Sequence, residues 1–134
     1  MTAYFDSNAT TRLAPEALEA MLPFLGDRFG NPSALCRFGR SLLAPMESAR
    51  IEVAHLINAS PSEIIFTSCG TESNNMAVKG AAELLPQRNR IVTSSVEHPA
   101  IIEPLSAMES RGMEVSRVPV DGDGMLDMSA LESL

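Results

Sequence analysis

The sequence has 134 residues, the size of one ordinary domain, and 45% of them are hydrophobic against 20% charged. That composition is typical of a globular chain and excludes a disordered one. Ten basic residues face 17 acidic ones, and the net charge of −7 opposes non-specific binding to nucleic acid or anionic lipid. No apolar run approaches the roughly 18 residues of a membrane helix, and the start lacks the basic-then-apolar order of a secretory signal. We therefore expect a cytoplasmic protein.

The first part of the sequence predicts an arm followed by helices. Residues 4–12 are polar and β-branched without a helical period, which predicts an extended arm. Pro15 suits the first turn of a helix, and an apolar stripe follows it at helical spacing. Residues 26–32 are rich in Gly, Asn and Pro and form a predicted loop. Residues 33–44 are predicted to be helical, and Pro45 then either kinks that helix or begins the next one.

The remaining sequence alternates between strands and helices. Asn58 is predicted to end the preceding helix, and residues 60–63 match a capping box that predicts one helical turn. The predicted elements after it are a strand at 64–68, a helix at 71–85, a strand at 91–96, a helix at 99–111 with Gly112 at its C′ position, a strand at 114–120, a turn at 121–124 and a helix from Met128 capped by Asp127. This order predicts an α/β fold with a parallel sheet and right-handed crossovers. Its open sheet edge leads us to expect the front part of a larger protein.

A short turn between a predicted strand and helix is the first candidate for binding chemistry. It reads Ser68-Cys69-Gly70-Thr71. The start of a helix exposes unpaired N–H groups and the positive end of the helix dipole, which suits a phosphate. Gly70 lets the backbone approach a ligand closely, and Thr71 adds a hydroxyl donor. The alternative is an ordinary helix N-cap in a tight turn, and the local pattern alone favours that interpretation.

A histidine in the same kind of position is the second candidate. His98 follows one predicted strand and precedes a helix that has Pro99 in its first turn. Ligands of parallel sheets collect beyond the carboxyl ends of the strands, so His98 and Thr71 would share one rim if their strands share a sheet. The alternative for His98 is a loop histidine bonded to nearby backbone. His55 lies inside a predicted helix, and we expect it to be structural.

The two cysteines and the single lysine limit the further chemistry that the sequence can support. Cys36 and Cys69 give no disulfide framework in a cytoplasmic chain. Cys69 lies near a helix start, which can favour its thiolate, although a small side chain at a strand end is the favoured interpretation. Together with His55 and His98 the cysteines have no recognised zinc spacing, so we expect no metal. Lys79 is the single lysine, so chemistry that needs a lysine amine must use Lys79 or a residue outside this sequence.

Four segments together resemble the NifS-like cysteine desulfurases. They are residues 4–11 (YFDSNATT), 29–33 (FGNPS), 66–75 (FTSCGTESNN) and 97–100 (EHPA). They occur in the family's order and with family-like spacing across nearly all 134 residues. The resemblance implies the class V aminotransferase group of pyridoxal-phosphate enzymes, with the fold type I architecture. It covers only the N-terminal part of that family, so we expect a partial cofactor domain, with an arm and helices over 1–60 and the βαβαβ segment over 61–134.

The resemblance also implies roles for individual residues. Gly70 and Thr71 match the family's phosphate-binding turn. His98 matches the histidine that stacks on the pyridine ring and moves protons, and it is the catalytic residue that we predict. Asn8 and Asn31 match segments near the active site and are predicted to lie near the substrate.

The implied reaction removes sulfur from L-cysteine. The cofactor is the electron sink, and a protein thiolate attacks the substrate sulfur, which releases alanine and leaves a persulfide for iron–sulfur cluster assembly. The sulfur acceptor would be a scaffold protein, and the complete enzyme would be a homodimer.

The residues that would complete this reaction are not matched in the sequence. The resemblance places the family's Schiff-base lysine well downstream of the matched part, and Lys79 matches a different helix lysine. The family's aspartate that pairs with the pyridine nitrogen is also absent, and neither Cys36 nor Cys69 matches the persulfide cysteine. Cys36 also stands where many members have a histidine. We therefore expect no desulfurase turnover from these 134 residues alone. The alternatives are another class V enzyme, such as a selenocysteine lyase, and a non-catalytic truncated product.

Overall fold

A computed structural model describes residues 3–134 and divides the chain into two compact units, with the boundary between Ile65 and Phe66. Within that range the chain forms five α-helices, one 3₁₀ turn and a two-stranded parallel sheet, which confirms the predicted α/β class. None of the helices in the described range is long and apolar enough to cross a membrane.

The elements follow one another in a simple order. The first unit holds α1 (Pro15–Leu25), α2 (Arg37–Leu56) and the 3₁₀ turn (Pro61–Glu63). The second unit holds α3 (Gly70–Leu84), β1 (Arg90–Ser94), α4 (Pro99–Glu109), β2 (Glu114–Val118) and α5 (Met128–Glu132).

The predicted arm contains a turn rather than one extended stretch. Residues 7–9 form the turn, and the carbonyl of Asp6 accepts a hydrogen bond from the N–H of Ala9 at 3.1 Å. The hydroxyl of Tyr4 lies 2.7 Å from the same carbonyl and holds the turn from the other side. The prediction was wrong here because period alone does not detect a turn made by polar side chains and backbone. Asn8 lies inside this turn and is exposed.

The helix predicted over 33–44 begins only at Arg37, since Asn31 starts a turn that competes with it. The side-chain oxygen of Asn31 accepts from the N–H of Ser33 at 2.9 Å, and its carbonyl accepts from the N–H of Ala34 at 2.9 Å. Asn side chains that bond nearby backbone favour turns over helices. The helix then continues through Pro45, so the alternative in which Pro45 begins a separate helix is wrong.

Gly39 allows the turn at residues 31–34 to lie directly on α2. A Cβ atom at Gly39 would stand 2.3 Å from the carbonyl oxygen of Asn31 and 2.6 Å from that of Ala34. Both distances are far below van der Waals contact, so only glycine fits. Beside this contact the rings of Phe29 and Phe38 stack with their centroids 5.9 Å apart. The contact fixes where the Asn31 backbone lies.

The end of α2 and the turn after it match the predictions closely. Asn58 has a positive φ of 54°, as expected of a residue that ends a helix, and confirms the predicted stop. The capping box at Ser60 and Glu63 is complete, and the N–H of Ser60 donates to the Glu63 carboxylate at 2.7 Å. The guanidinium of Arg50 bonds the carbonyl of Ile64 and so joins α2 to the segment that follows the turn.

The predicted strand over 64–68 is absent from the described structure. A strand needs a hydrogen-bonded partner, and the sheet formed by residues 3–134 pairs only β1 with β2. The sequence of residues 64–68 has strand propensity. Whether such a segment pairs depends on a neighbouring strand, which the local sequence does not reveal.

The second unit is built around one parallel pair of strands. Arg90 lies opposite Glu114, and the register runs to Ser94 opposite Val118. α4 packs against both α3 and β2, which places its Leu105 in the core with 2% of its surface exposed. The side chains buried around α4 are Ala100, Pro104, Leu105 and Val118.

The two strands end earlier than predicted for local reasons. The hydroxyl of Ser94 donates to the carboxylate of Glu97 at 2.8 Å, so the chain turns after Ser94 rather than after Val96. Val120 forms an isolated antiparallel bridge with Leu126, which takes it out of β2.

The predicted helix ends in this unit are close to the observed ones. The last turn of α4 ends at Glu109, and Gly112 has the positive φ of 97° predicted for its position. The turn at residues 121–124 is confirmed by a 3.1 Å bond from the N–H of Gly124 to the carbonyl of Asp121. Asp127 caps α5 as predicted, because its side chain accepts from the N–H of Ala130 at 3.0 Å.

A two-point ion pair joins the end of α4 to β2. The guanidinium of Arg117 donates to the two carboxylate oxygens of Glu109 at 3.1 and 2.8 Å. The pKa of Glu109 lies below its ordinary value of 4.5 because Arg117 hydrogen-bonds the charged carboxylate.

We predict that Gly39→Ala lowers the free energy of unfolding by about 1–3 kcal/mol, the usual cost of forcing a methyl group into filled space. Urea denaturation of the purified chain measures it. Gly80→Ala is the matched control, because a Cβ at Gly80 meets nothing within 4 Å. Gly80 lies inside α3, so the control should gain about 0.5–1 kcal/mol. Equal effects at the two glycines would contradict the close contact.

We predict that Arg117→Gln destabilises the chain at neutral pH and that the difference from wild type shrinks as the pH falls below 4.5. The folded pKa of Glu109 is lowered, so its contribution is present above the ordinary pKa and is lost as the pH falls through the folded value. Urea midpoints measured from neutral to acidic pH test this, with Arg111→Gln as a control outside the pair. A difference that does not change with pH would show that the ion pair contributes nothing.

Candidate functional site

The start of α3 presents a ring of backbone donors. Cys69 precedes the helix in an extended conformation, with φ −166° and ψ 170°, and its carbonyl accepts the N–H of Ser73 at 3.1 Å. Within residues 3–134 the N–H groups of Gly70, Thr71 and Glu72 have no carbonyl partner, as is usual in the first turn of a helix. A Cβ at Gly70 would meet nothing within 4 Å, so the space beside this turn is open.

The acidic side chain at this helix start is already bonded. The carboxylate of Glu72 accepts from both the backbone N–H and the hydroxyl of Ser68, each at 2.7 Å. Both bonds hold the pKa of Glu72 below its ordinary value of 4.5, and the bond from the Ser68 hydroxyl has the larger effect. Glu72 thus folds back over Ser68 and fixes the turn that leads into α3.

The place of Cys69 at the helix start lowers the pKa of its thiol. The Cys69 sulfur does not accept a regular N-cap hydrogen bond from the first turn of α3. Its pKa nevertheless lies below the ordinary 9.0, because the backbone N–H of Glu72 points at it, followed by the hydroxyl of Ser68 and the N–H of Thr71. The Ser68 oxygen is 3.8 Å from the sulfur. The thiol is exposed, so it is open to reagents.

His98 is the N-cap of α4. Its Nδ1 atom accepts the backbone N–H of Ala100 at 3.0 Å, and Pro99 occupies the first helical position, where its missing N–H costs nothing. The predicted alternative of a histidine bonded to nearby backbone is therefore correct for one of its two ring nitrogens. The other nitrogen, Nε2, has no partner within the described chain.

Thr71 and His98 line one cleft between α3 and α4. The cleft has a volume of about 420 Å³, within the range of small-molecule sites. Asn75 and Lys79 follow Thr71 on the same face of α3, one and two turns further along, and Glu103 lines the cleft from α4. The amide nitrogen of Asn75 donates to the carbonyl of Thr71 at 3.0 Å. The cleft therefore gathers two hydroxyl or amide side chains, one imidazole and one charge of each sign.

Thr71 and His98 lie at one cleft, but they are brought together in a different way from the one expected. Thr71 and His98 were expected to meet through neighbouring strands, whereas the described structure brings them together through the packing of α3 on α4. Asn75 and Glu103 were missed, although the spacing of Asn75 from Thr71 marks one helix face and could have found it. Asn8 and Asn31 belong to the first unit, and their predicted place near a substrate stays a prediction.

Comparison with known proteins places the chain in a family. The aminotransferase class-V family profile matches residues 3–134. The chain belongs to the class V aminotransferases. This confirms the resemblance on which the sequence interpretation rests.

The similar proteins are cysteine desulfurases. The chain is 52% identical over 129 residues to a cysteine desulfurase of Cereibacter sphaeroides, and this match covers 95% of the chain and 33% of the relative. A solved NifS-like protein is 41% identical with a TM-score of 0.90, covering 100% of this chain and 37% of that one. A solved structure described as SspA in complex with cysteine is 38% identical with a TM-score of 0.80, covering 89% and 35%. The chain spans about a third of the length of the curated relatives that it matches.

We predict that a neutral alkylating reagent modifies Cys69 several-fold faster than Cys36 near pH 7. The lowered pKa of Cys69 raises its thiolate fraction there, and the thiolate is the reactive form. The advantage should shrink as the pH rises past 9, where a lowered pKa no longer increases that fraction. Mass spectrometry of Cys36→Ser and Cys69→Ser variants follows each thiol alone. Equal rates at pH 7 would show that the helix start does not activate Cys69.

Proposed function

We propose that this chain carries the phosphate turn and the ring-contacting histidine of a pyridoxal-phosphate-dependent cysteine desulfurase. The observation that supports it most is the shared cleft. Thr71 in the first turn of α3 and His98 at the start of α4 line the same space. A phosphate needs the first, and an aromatic ring needs a flat partner such as the second.

The residues present fit that cofactor in three respects. The open space at Gly70 admits a phosphate close to the backbone, and the hydroxyl of Thr71 is a further donor for it. The Glu72 carboxylate takes its hydrogen bonds from Ser68, so it does not occupy the N–H donors of the first turn of α3. The exposed imidazole of His98 lines the same cleft. When bound, the cofactor supplies an electron sink for bond cleavage at the amino acid.

Each residue of the cleft then has a distinct task. The N–H groups of the first turn of α3 and the Thr71 hydroxyl bind the phosphate, and the dipole of the helix adds to that attraction. Gly70 keeps the approach open, and His98 holds the ring in position. Asn75 bonds the carbonyl of Thr71 at 3.0 Å and so steadies the residue that donates to the phosphate.

The substrate of the whole protein is proposed to be L-cysteine. The relatives are described as cysteine desulfurases, and one structural neighbour was solved with cysteine. Alanine and a protein persulfide would be the products, and an iron–sulfur scaffold protein would accept the sulfur. We further propose a homodimer in the cytoplasm. Asn8 and Asn31 are proposed to lie near the substrate.

The lysine and the nucleophilic cysteine of this reaction are proposed to come from residues other than these 134. Lys79 lines the cleft from the third turn of α3, at a position that matches another lysine of the family. The pKa of the Cys69 thiol is lowered, but its sequence position does not match the persulfide cysteine. The 134 residues are therefore assigned binding, and turnover is assigned to the complete enzyme.

We predict that Thr71→Val weakens pyridoxal-phosphate binding about tenfold or more, because a hydrogen bond to a charged group contributes about 1.5–3 kcal/mol. Thr71→Ser is the matched control, since it keeps the hydroxyl and should bind within a few-fold of wild type. Absorbance or fluorescence titration of the purified chain measures the affinity.

Pyridoxal without its phosphate completes that experiment. It should bind weakly to all three proteins, and Thr71→Val should change its affinity little. Equal affinity of all three proteins for pyridoxal phosphate would refute the phosphate role of this turn.

A further inference from the structure

The turn between β1 and α4 is attached to the sheet where it begins. Ser94 is the last residue of β1 and lies opposite Val118 in the parallel register. The next residue, Ser95, donates its N–H to the carbonyl of Val118 at 2.9 Å, which extends the pairing by one bond beyond β1. Val118 is buried, with 3% of its surface exposed. The chain that leads to His98 therefore leaves the sheet from a fixed point.

The side chains of Ser94 and Glu97 close this turn. The Ser94 hydroxyl donates to the carboxylate of Glu97 at 2.8 Å, and its oxygen accepts the N–H of Val96 at 3.4 Å. Both Ser94 and Glu97 are half-buried, so water competes less for this bond than it does at the surface. The bond joins the end of β1 to the residue directly before His98.

On its other side, His98 is held by α4. Its Nδ1 atom accepts the N–H of Ala100 at 3.0 Å, and its carbonyl accepts the N–H of Ile101 at 2.8 Å. Ala100 is buried, with 8% of its surface exposed. The backbone of His98 therefore lies between two anchors, of which the bond from Ser94 to Glu97 is the one on the sheet side.

We infer that Glu97 is a positioning residue, which acts through the Ser94 hydroxyl to hold His98 at the cleft. This inference deepens the proposed function, on which it rests, because that function gives Glu97 no role. Among residues 3–134 the cleft lining includes Thr71 and His98 but not Glu97. An effect of Glu97 on a bound ring therefore passes through the position of His98 or through its own charge, and a glutamine replaces only the first.

Four variants separate the bond from the charge. Glu97→Gln keeps an oxygen that accepts the Ser94 hydroxyl and removes the charge, whereas Glu97→Ala removes both. Ser94→Ala breaks the same bond from its other end. Ser110→Ala is the matched control, because the Ser110 hydroxyl donates to the carbonyl of Ala107 at 2.8 Å at the opposite end of α4.

Two probes separate the contact to the ring from the contact to the phosphate. Pyridoxine 5′-phosphate carries both groups and has no aldehyde to react with Lys79, whereas inorganic phosphate carries only the second. We expect Glu97→Ala and Ser94→Ala to bind pyridoxine phosphate several-fold more weakly and inorganic phosphate as the wild type does. Glu97→Gln and Ser110→Ala should bind both probes as the wild type does.

Three results of this titration would overturn the inference. Unchanged binding of pyridoxine phosphate by Glu97→Ala would show that Glu97 does not position the ring contact. An equal loss for the two probes would show a general loosening of the chain. An equal loss in Glu97→Gln and Glu97→Ala would show that the charge acts and not the bond to Ser94.

A double-mutant cycle tests whether Glu97 acts through His98. His98→Ala removes the ring contact, so adding Glu97→Ala to it should cause no further loss of affinity for pyridoxine phosphate. The same loss from Glu97→Ala with and without His98 would mean that the two residues act independently, and the inference would be wrong.

Hydrogen exchange in the free chain distinguishes this inference from the proposed function. The amide of Ala100 reports on the placement of His98, and that of Ala130, which donates to Asp127 at 3.0 Å, is the reference. Glu97→Ala should speed exchange at Ala100 several-fold and leave Ala130 unchanged. Unchanged exchange at Ala100 would overturn the inference whatever the chain binds. Faster exchange at Ala100, with no binding of pyridoxine phosphate by the wild type, would refute the proposed function and leave the placement of His98 by Glu97 standing.

Discussion

The packing of α3 against α4 is the contact on which the candidate site depends. Each helix begins with a feature that is common by itself: the first-turn N–H groups of α3, which find no carbonyl partner in the described part of the chain, and a capping side chain in α4. Their contact brings Thr71 and His98 to one cleft, so the turn that we propose binds phosphate and the histidine that we propose contacts the ring lie beside the same space. Without that contact each would have only its structural role.

The same bonds that build the helix starts also determine what the site can do. Glu72 secures the turn before α3, and in doing so it withdraws its carboxylate from the open donors. His98 caps α4 through one nitrogen and leaves only the other for a ligand. In His98, one ring nitrogen therefore stabilises the helix and the other stays available for a ligand.

Features that depend on residues adjacent in sequence are predicted correctly, whereas features that depend on contacts with other segments are not. The capping box at Ser60, the stop at Asn58 and the cap at Asp127 are local, and all three are confirmed. Segment 64–68 has strand propensity, but a strand also needs a pairing partner, which is not a local property. The tight contact at Gly39 was equally hidden, because a glycine inside a helix gives no sign of what lies beside it.

The contact between Gly39 and Asn31 also bears on the order in which the chain acquires structure. The two residues are close in sequence, so closing the segment between them costs little chain entropy. β1 and β2 are parallel, and their pairing must wait until the whole of α4 has been traversed. The loop that carries Asn31 can therefore reach its final form at an early stage, while the sheet of the second unit forms only after the longer crossover has closed.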